Sequence, residues 1–210
     1  DSDRTDVRPW VLGDPLHSRP LPINYGARGS HTTTNPDIRI IMGSNDGMLH
    51  MFQNTTAAGT ESGAEVWAYM PQKVMPQIKT LMNNPASSHI YTVDGASAAY
   101  IEDTDNDGII ESTEKAWVFF GLRRGGRGMY GLDITDPDAP VKLWSKTEAD
   151  FSELGYTFST PRVGKMDWGT GTKPVVIFGG GYDMNKDSNS TDDSMGRAIF
   201  ILDAQTGALV

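Results

Sequence analysis

Five carboxylates fall within the twelve residues DTDNDGIIESTE at positions 103–114. Asp103, Asp105 and Asp107 alternate, Gly108 follows the third, and Glu111 and Glu114 complete the set. Gathering so much like charge into a compact loop is unfavourable, and a hard divalent cation removes the penalty by taking several oxygen ligands at once. The stretch satisfies the calcium-loop pattern D-x-[DN]-x-[DN]-G-x5-E in full. Asp103, Asp105 and Asp107 occupy positions 1, 3 and 5, Gly108 makes the sharp turn, Ile109 offers its backbone carbonyl at position 7, and Glu114 stands at position 12. The competing reading of the same residues is a solvated acidic turn between two strands.

The flanks decide what kind of loop this is. An EF-hand sensor needs a helix on each side, whereas YTVDGASAAYIE before the loop and KAWVFFGL after it read as strands. The sequence therefore predicts an EF-hand-like calcium loop set in a β-hairpin. Asp103, Asp105, Asp107 and Glu111 are expected to give side-chain oxygens and Ile109 its carbonyl. Glu114 is expected at the periphery, because a strand exit points it differently from a helix exit.

Strand signals run through the rest of the chain. IRIIMG, MLHMFQ, EVWAYM, SAAYIE, AWVFFG, MYGLDI, VKLWSK, PVVIFGG and RAIFILD are short, rich in β-branched and aromatic residues, and bounded by Gly, Pro, Asn and Asp. The one helix signal is PQKVMPQIKTLMNN, interrupted by Pro76 and read as an insertion. A unit recurs three times: an apolar strand, a Gly-rich turn and a second strand, as in IRIIMGSNDG with MLHMFQ, AWVFFGLRRGGRG with MYGLDI, and PVVIFGGGYD with RAIFILD. HSRPLPI, DGASAAYI and STPRVGKM suit innermost strands, where small residues fit a crowded axis. The predicted class is all-β, a β-propeller of about three recognisable blades. A sandwich of irregular meanders is the second architecture. Three blades do not close a ring, so residues 1–210 are expected to be part of one propeller domain, a fragment of a larger protein.

Composition narrows the function. Hydrophobic residues make up 38 % and charged residues 21 %, as in ordinary globular domains. No apolar run has the roughly 20 residues that span a bilayer, and DSDRTDVRPW lacks the regions of a signal peptide, which an upstream segment would have to supply. A net charge of −9 disfavours nucleic acid, and RRGGRG is read as a hairpin connection rather than an RNA-binding segment. Cysteine is absent, and His17, His31, His50 and His89 have no zinc spacing. The run GGG at 179–181 lacks the strand–helix context of a dinucleotide site. Asp183, Asn185, Asp187 and Asn189 alternate too, but without the turn glycine, and are read as a disordered polar insertion ahead of a second cation site. No catalytic residue is assigned, and the chain is not expected to be an enzyme.

Several stretches in order carry a resemblance: RPWVLGDPLHSRPLPINYG, GSNDGMLHMF with EVWAYMP, YTVDGASAAYIEDTDNDG, GLRRGGRGMYGLDITDPDAP, YTFSTPRVGKM and GRAIFILDAQTG. Together they resemble the β-propeller domain of the PilC/PilY type IV pilus tip proteins. The resemblance implies a calcium-binding propeller of an exported pilus adhesin that regulates extension and retraction and supports adhesion and twitching motility. It implies minor pilins or the pilus tip as partners, with a host or abiotic surface contacted through the parent protein. The implied location is the bacterial cell surface, pilus tip or outer membrane. The family loop is similar to D-x-D-x-[DN]-x-x-x-D, with Glu111 at its last position here. LDAQTG also resembles blades of quinoprotein dehydrogenases, which makes a quinone-dependent enzyme or a propeller scaffold the alternative.

Overall fold

The computed structural model describes residues 13–83, 89–169, 171–188 and 191–210. The strand KAWVFFG, Lys115–Gly121, has nearly every side chain buried. Side chains alternate between the two faces of a strand, so an apolar run of this kind needs cover on both. Ala116, Val118 and Phe120 enter one core with Ile23, Ile41, Leu49 and Met51. Trp117 and Phe119 enter a second with Val176, Phe178, Phe200 and Leu202. One sheet therefore lies between two others.

The first sheet runs β1 (Leu21–Asn24), β2 (Ile38–Gly43), β3 (Leu49–Gln53), β4 (Glu65–Tyr69), each antiparallel to the next. The second runs β5 (Ser97–Glu102), β6 (Lys115–Gly121), β7 (Gly128–Asp133), β8 (Val141–Thr147) in the same way. The third holds β9 (Arg162–Asp167), β10 (Thr172–Gly179) and β11 (Ile199–Asp203). In place of a fourth strand, the third sheet has a bridge from Leu209 back to Leu202. The first strands of the sheets meet: β5 lies against both β1 and β9, as innermost strands of neighbouring blades must. The sheets do not close on one another.

Aromatic residues set the spacing between blades. Gly131 leaves room for the Trp144 indole, since a β-carbon there would come within 2.8 Å of the ring. Trp144 stacks on Phe119 with ring centroids 5.6 Å apart, and its Nε1–H donates to the Ala204 carbonyl of the third sheet at 2.8 Å. The helical insertion is split by Pro76 into a 3-10 turn, Gln72–Gln77, and one short helix, α1 (Ile78–Asn83). RRGGRG is the β6–β7 connection, a 3-10 turn over Arg123–Gly125. The expectation of disorder around residue 183 fails for the described part. Asp183 caps a 3-10 turn over Met184–Asp187 by accepting from the Asn185 amide, and it also accepts from the Ser194 amide and hydroxyl. Asp187 makes a two-pronged pair with Arg124, which ties the turn to the second sheet. Asn189 lies outside the described residues.

Candidate metal centre

The β5–β6 register ends at Glu102 opposite Lys115, and these side chains pair across the mouth of the hairpin. Residues 103–114 form the loop between them. Two residues take left-handed backbone angles, Asn106 (φ 62°) and Gly108 (φ 80°), conformations that asparagine and glycine tolerate best. The Asp103 carboxylate spans both turns, accepting from the Asn106 amide at 2.6 Å and the Gly108 amide at 2.9 Å. Asp105 accepts from the Asp107 amide and Asp107 from the Ile109 amide. Backbone N–H groups thus fold the aspartates inward.

Two sets of carboxylate oxygens converge, each within 4.8 Å: Asp103, Asp105 and Glu114, and Asp105, Asp107 and Glu111. Asp105 belongs to both. Glu114, expected at the periphery of the ion site, has protein donors on both of its oxygens. It is 5 % exposed, turned back into the loop, and accepts from the amide and hydroxyl of Thr104 and from the Glu111 amide. The amide of Thr104 leads the effects that hold Glu114 below the usual carboxylate range. Glu111, exposed, is pushed above it, first by its side-chain hydrogen bond with Glu114, then by desolvation and the charges of Asp107, Glu114 and Asp105. Among the described residues, no lysine, arginine or histidine forms an ion pair with any of these five carboxylates. An all-oxygen set with uncompensated negative charge fits a hard divalent cation.

Sequence reasoning missed what holds the loop against the first sheet. Ile110 is buried in the first core, and its amide donates to the Tyr25 carbonyl at 3.3 Å. Gly26 follows, with φ +73°, and a β-carbon there would lie 2.0 Å from the Gly108 carbonyl oxygen. The Tyr25 hydroxyl donates to the Ile134 carbonyl at 2.6 Å, which fixes the same turn to the end of β7. The glycine in NYGARG is the one available signal. Each histidine lies beside a different carboxylate, His17 with Asp94, His31 with Asp37, His89 with Asp14, and His50 with Asp46 and Glu65, and the His17 and His89 rings both lie against Tyr91.

The family model described as the PilY1 beta-propeller domain matches residues 22–210. The chain belongs to the PilY1 β-propeller family. It is 32 % identical over 224 residues to the type IV pilus biogenesis factor PilY1 of Pseudomonas aeruginosa strain UCBPP-PA14, covering 97 % of this chain and 17 % of that relative. A PilY1 homolog of Xylella fastidiosa strain Temecula1 is also 32 % identical, over 96 % of this chain and 16 % of its own length. The chain thus spans less than a fifth of these curated relatives. Among solved structures, the crystal structure of the P. aeruginosa PilY1 C-terminal domain matches with a TM-score of 0.56 and 29 % identity, covering 82 % of this chain and 29 % of that one. The family assignment supplies the propeller that three unclosed sheets suggest, and the acidic loop lies inside the matched span.

Proposed function

We propose that this chain is the calcium-responsive part of the propeller of a type IV pilus biogenesis factor. The observation that carries the proposal is the pair of carboxylate sets converging in residues 103–114, none of them ion-paired among the described residues. Asp103, Asp105, Asp107, Glu111 and Glu114 would hold the ion with side-chain oxygens, and Ile109 with its carbonyl. Bound calcium supplies a double positive charge that offsets the mutual repulsion of these groups. The chain's own part is to keep the oxygens assembled: Asp103 across two tight turns, Glu114 on Thr104, and Ile110 in the core. Because the same loop rests on the Tyr25–Gly26 turn, its order is coupled to the seam between the first two blades.

The relatives' description as type IV pilus biogenesis factors supports a pilus-associated role; in this reading the loop acts on the balance of pilus extension and retraction that underlies adhesion and twitching at the bacterial surface. Minor pilins or the pilus tip are the partners in this reading, and no catalysis is assigned. The quinone-dependent alternative finds no support in the family assignment.

Calorimetry tests the metal step. Asp105 stands in both carboxylate sets, so Asp105→Ala is expected to lower calcium affinity at least tenfold, and unchanged affinity removes the site. Twitching of cells that carry Asp105→Ala in the parent protein tests the regulatory step. Lost binding with normal motility would leave the ion a structural role alone.

A further inference from the structure

A cleft of about 590 Å³ opens beside the loop, between the Ala27–Gly29 turn, residues 109–112 and the end of the β7–β8 hairpin. Its size lies within the roughly 300–1,000 Å³ common for binding sites. Ile110 forms an apolar floor, and Val141, 62 % exposed, stands at the rim. Three carboxylates line the cleft, from Glu111, Asp133 and Asp136, with one guanidinium, that of Arg28. Arg28 is already committed, donating to Asp136 at 3.0 Å and lying 3.8 Å from Asp138. Asp133 accepts the Thr135 amide on Oδ1 and belongs to no ion pair among the described residues. The lining of the cleft therefore holds three carboxylates against one guanidinium, an excess of negative charge. Val141 also begins β8, the last strand of its sheet, which leaves one edge without a strand partner among the described residues.

We propose that this cleft docks an extended, lysine- or arginine-bearing segment of a partner protein, whose backbone pairs with the free β8 edge while its cationic side chain enters beside Asp133 and Glu111. Strand addition gives affinity through main-chain hydrogen bonds, and a pocket for one side chain gives selectivity. The charge selects a cation, and Val141 covers its alkyl stem, an arrangement suited to side chains with an apolar shaft and a charged head. The site reaches beyond calcium binding but shares Glu111 and Ile109 with the acidic loop, so the segment docks on the metal-free loop.

The test is an NMR titration of the full chain, in chelator, with a capped five-residue peptide of alternating valine and threonine around a central lysine. Saturable shifts are expected at the amides of Ile109, Ala139 and Val141. The same peptide with glutamate at its centre, or with N-methylated backbone amides, is expected to bind at least fivefold more weakly. Asp133→Asn should weaken the lysine peptide by a similar factor. Val141→Arg, at an exposed position that tolerates a long side chain, should block it while leaving the circular dichroism spectrum unchanged. Absence of saturable shifts at the cleft, equal binding of the glutamate peptide, or indifference to both substitutions overturns the proposal. Concentration-dependent shifts of the same amides without peptide would assign the cleft to a second copy of the chain and overturn it as well. Because calcium is absent throughout, failure of the calcium reading leaves this result unaffected.

Discussion

Replacing Gly26 with alanine perturbs the acidic loop without touching one of its carboxylates. The added β-carbon would stand 2.0 Å from the Gly108 carbonyl oxygen and 2.9 Å from the Ile109 Cα. Carbon–oxygen contacts settle near roughly 3.3 Å, so the loop or the turn must retreat by about 1 Å or more. Both walls are backbone, so no side chain can rotate away. Gly26 also has φ +73°, where a β-carbon costs about 1–2 kcal/mol by itself. Gly29 lies on the same turn with φ +62°, and a β-carbon added there would meet nothing within 4 Å, so Gly29→Ala isolates the backbone cost. Urea unfolding is expected to show a loss of about 1–2 kcal/mol for Gly29→Ala. Gly26→Ala should lose a further amount of about 1–3 kcal/mol, the usual cost of forcing extra volume into a packed site. On the calcium reading it should also weaken calcium binding, because displacing Gly108 and Ile109 moves the turn that aims Asp103 and the Ile109 carbonyl. Equal losses for the two variants would refute the close contact between loop and first blade.

Three further outcomes follow from other parts of the molecule. Trp144→Ala, which removes the ring stacked on Phe119 and the hydrogen bond to Ala204, should cost about 3–5 kcal/mol in urea unfolding, and a loss under about 1 kcal/mol would contradict the packing of the second blade on the third. His50 is nearly buried: burial disfavours its charge, but hydrogen bonds and attraction from Asp46 and Glu65 prevail and raise its pKa, while Asp46 is lowered because the His50 hydrogen bond and charge outweigh its own burial. The His50 contribution to stability is therefore complete below its unfolded value of about 6.5 and lost as pH rises through the folded value; that of Asp46 is present above 3.8 and lost as pH falls through its lowered folded value. Thermal melts of the chain and of His50→Gln should converge as pH rises from about 6 to about 9, and a difference that grows over that range would reverse the assignment. Glu114→Gln keeps an acceptor for Thr104 but removes charge from one of the two oxygen sets, so calorimetry should show a smaller loss of calcium affinity than Asp105→Ala, which touches both; the opposite ranking would make Glu114 the principal ligand.

The strands are legible in the sequence because alternation and apolar runs are local properties. IRIIMG and SAAYIE coincide with β2 and β5, and the doubly apolar KAWVFFG announces a strand covered on two faces. The ligand types of the acidic loop are equally local, fixed by the spacing of Asp103, Asp105, Asp107 and Glu111. The direction of Glu114 is not. It depends on where the β5–β6 register closes and on Thr104 lying opposite, ten residues earlier in the chain. Polar composition predicts disorder at Asp183 because it hides specific capping, which here needs Ser194 and Arg124 to arrive from elsewhere.

The sequence by itself determined the all-β class, the three recurring units, the hairpin setting of the loop and the oxygen chemistry of its residues. Each follows from side-chain type and short-range period, which the chain carries wherever it is placed. Only the tertiary structure decided that Gly26 of the first blade supports Gly108 in the second, that Trp144 bonds to Ala204 in the third, and that Asp133 and Glu111 share one cleft. Those pairings join residues far apart in sequence, and no local preference encodes them: they exist because apolar faces of neighbouring sheets must bury one another, and that burial brings the connecting turns together.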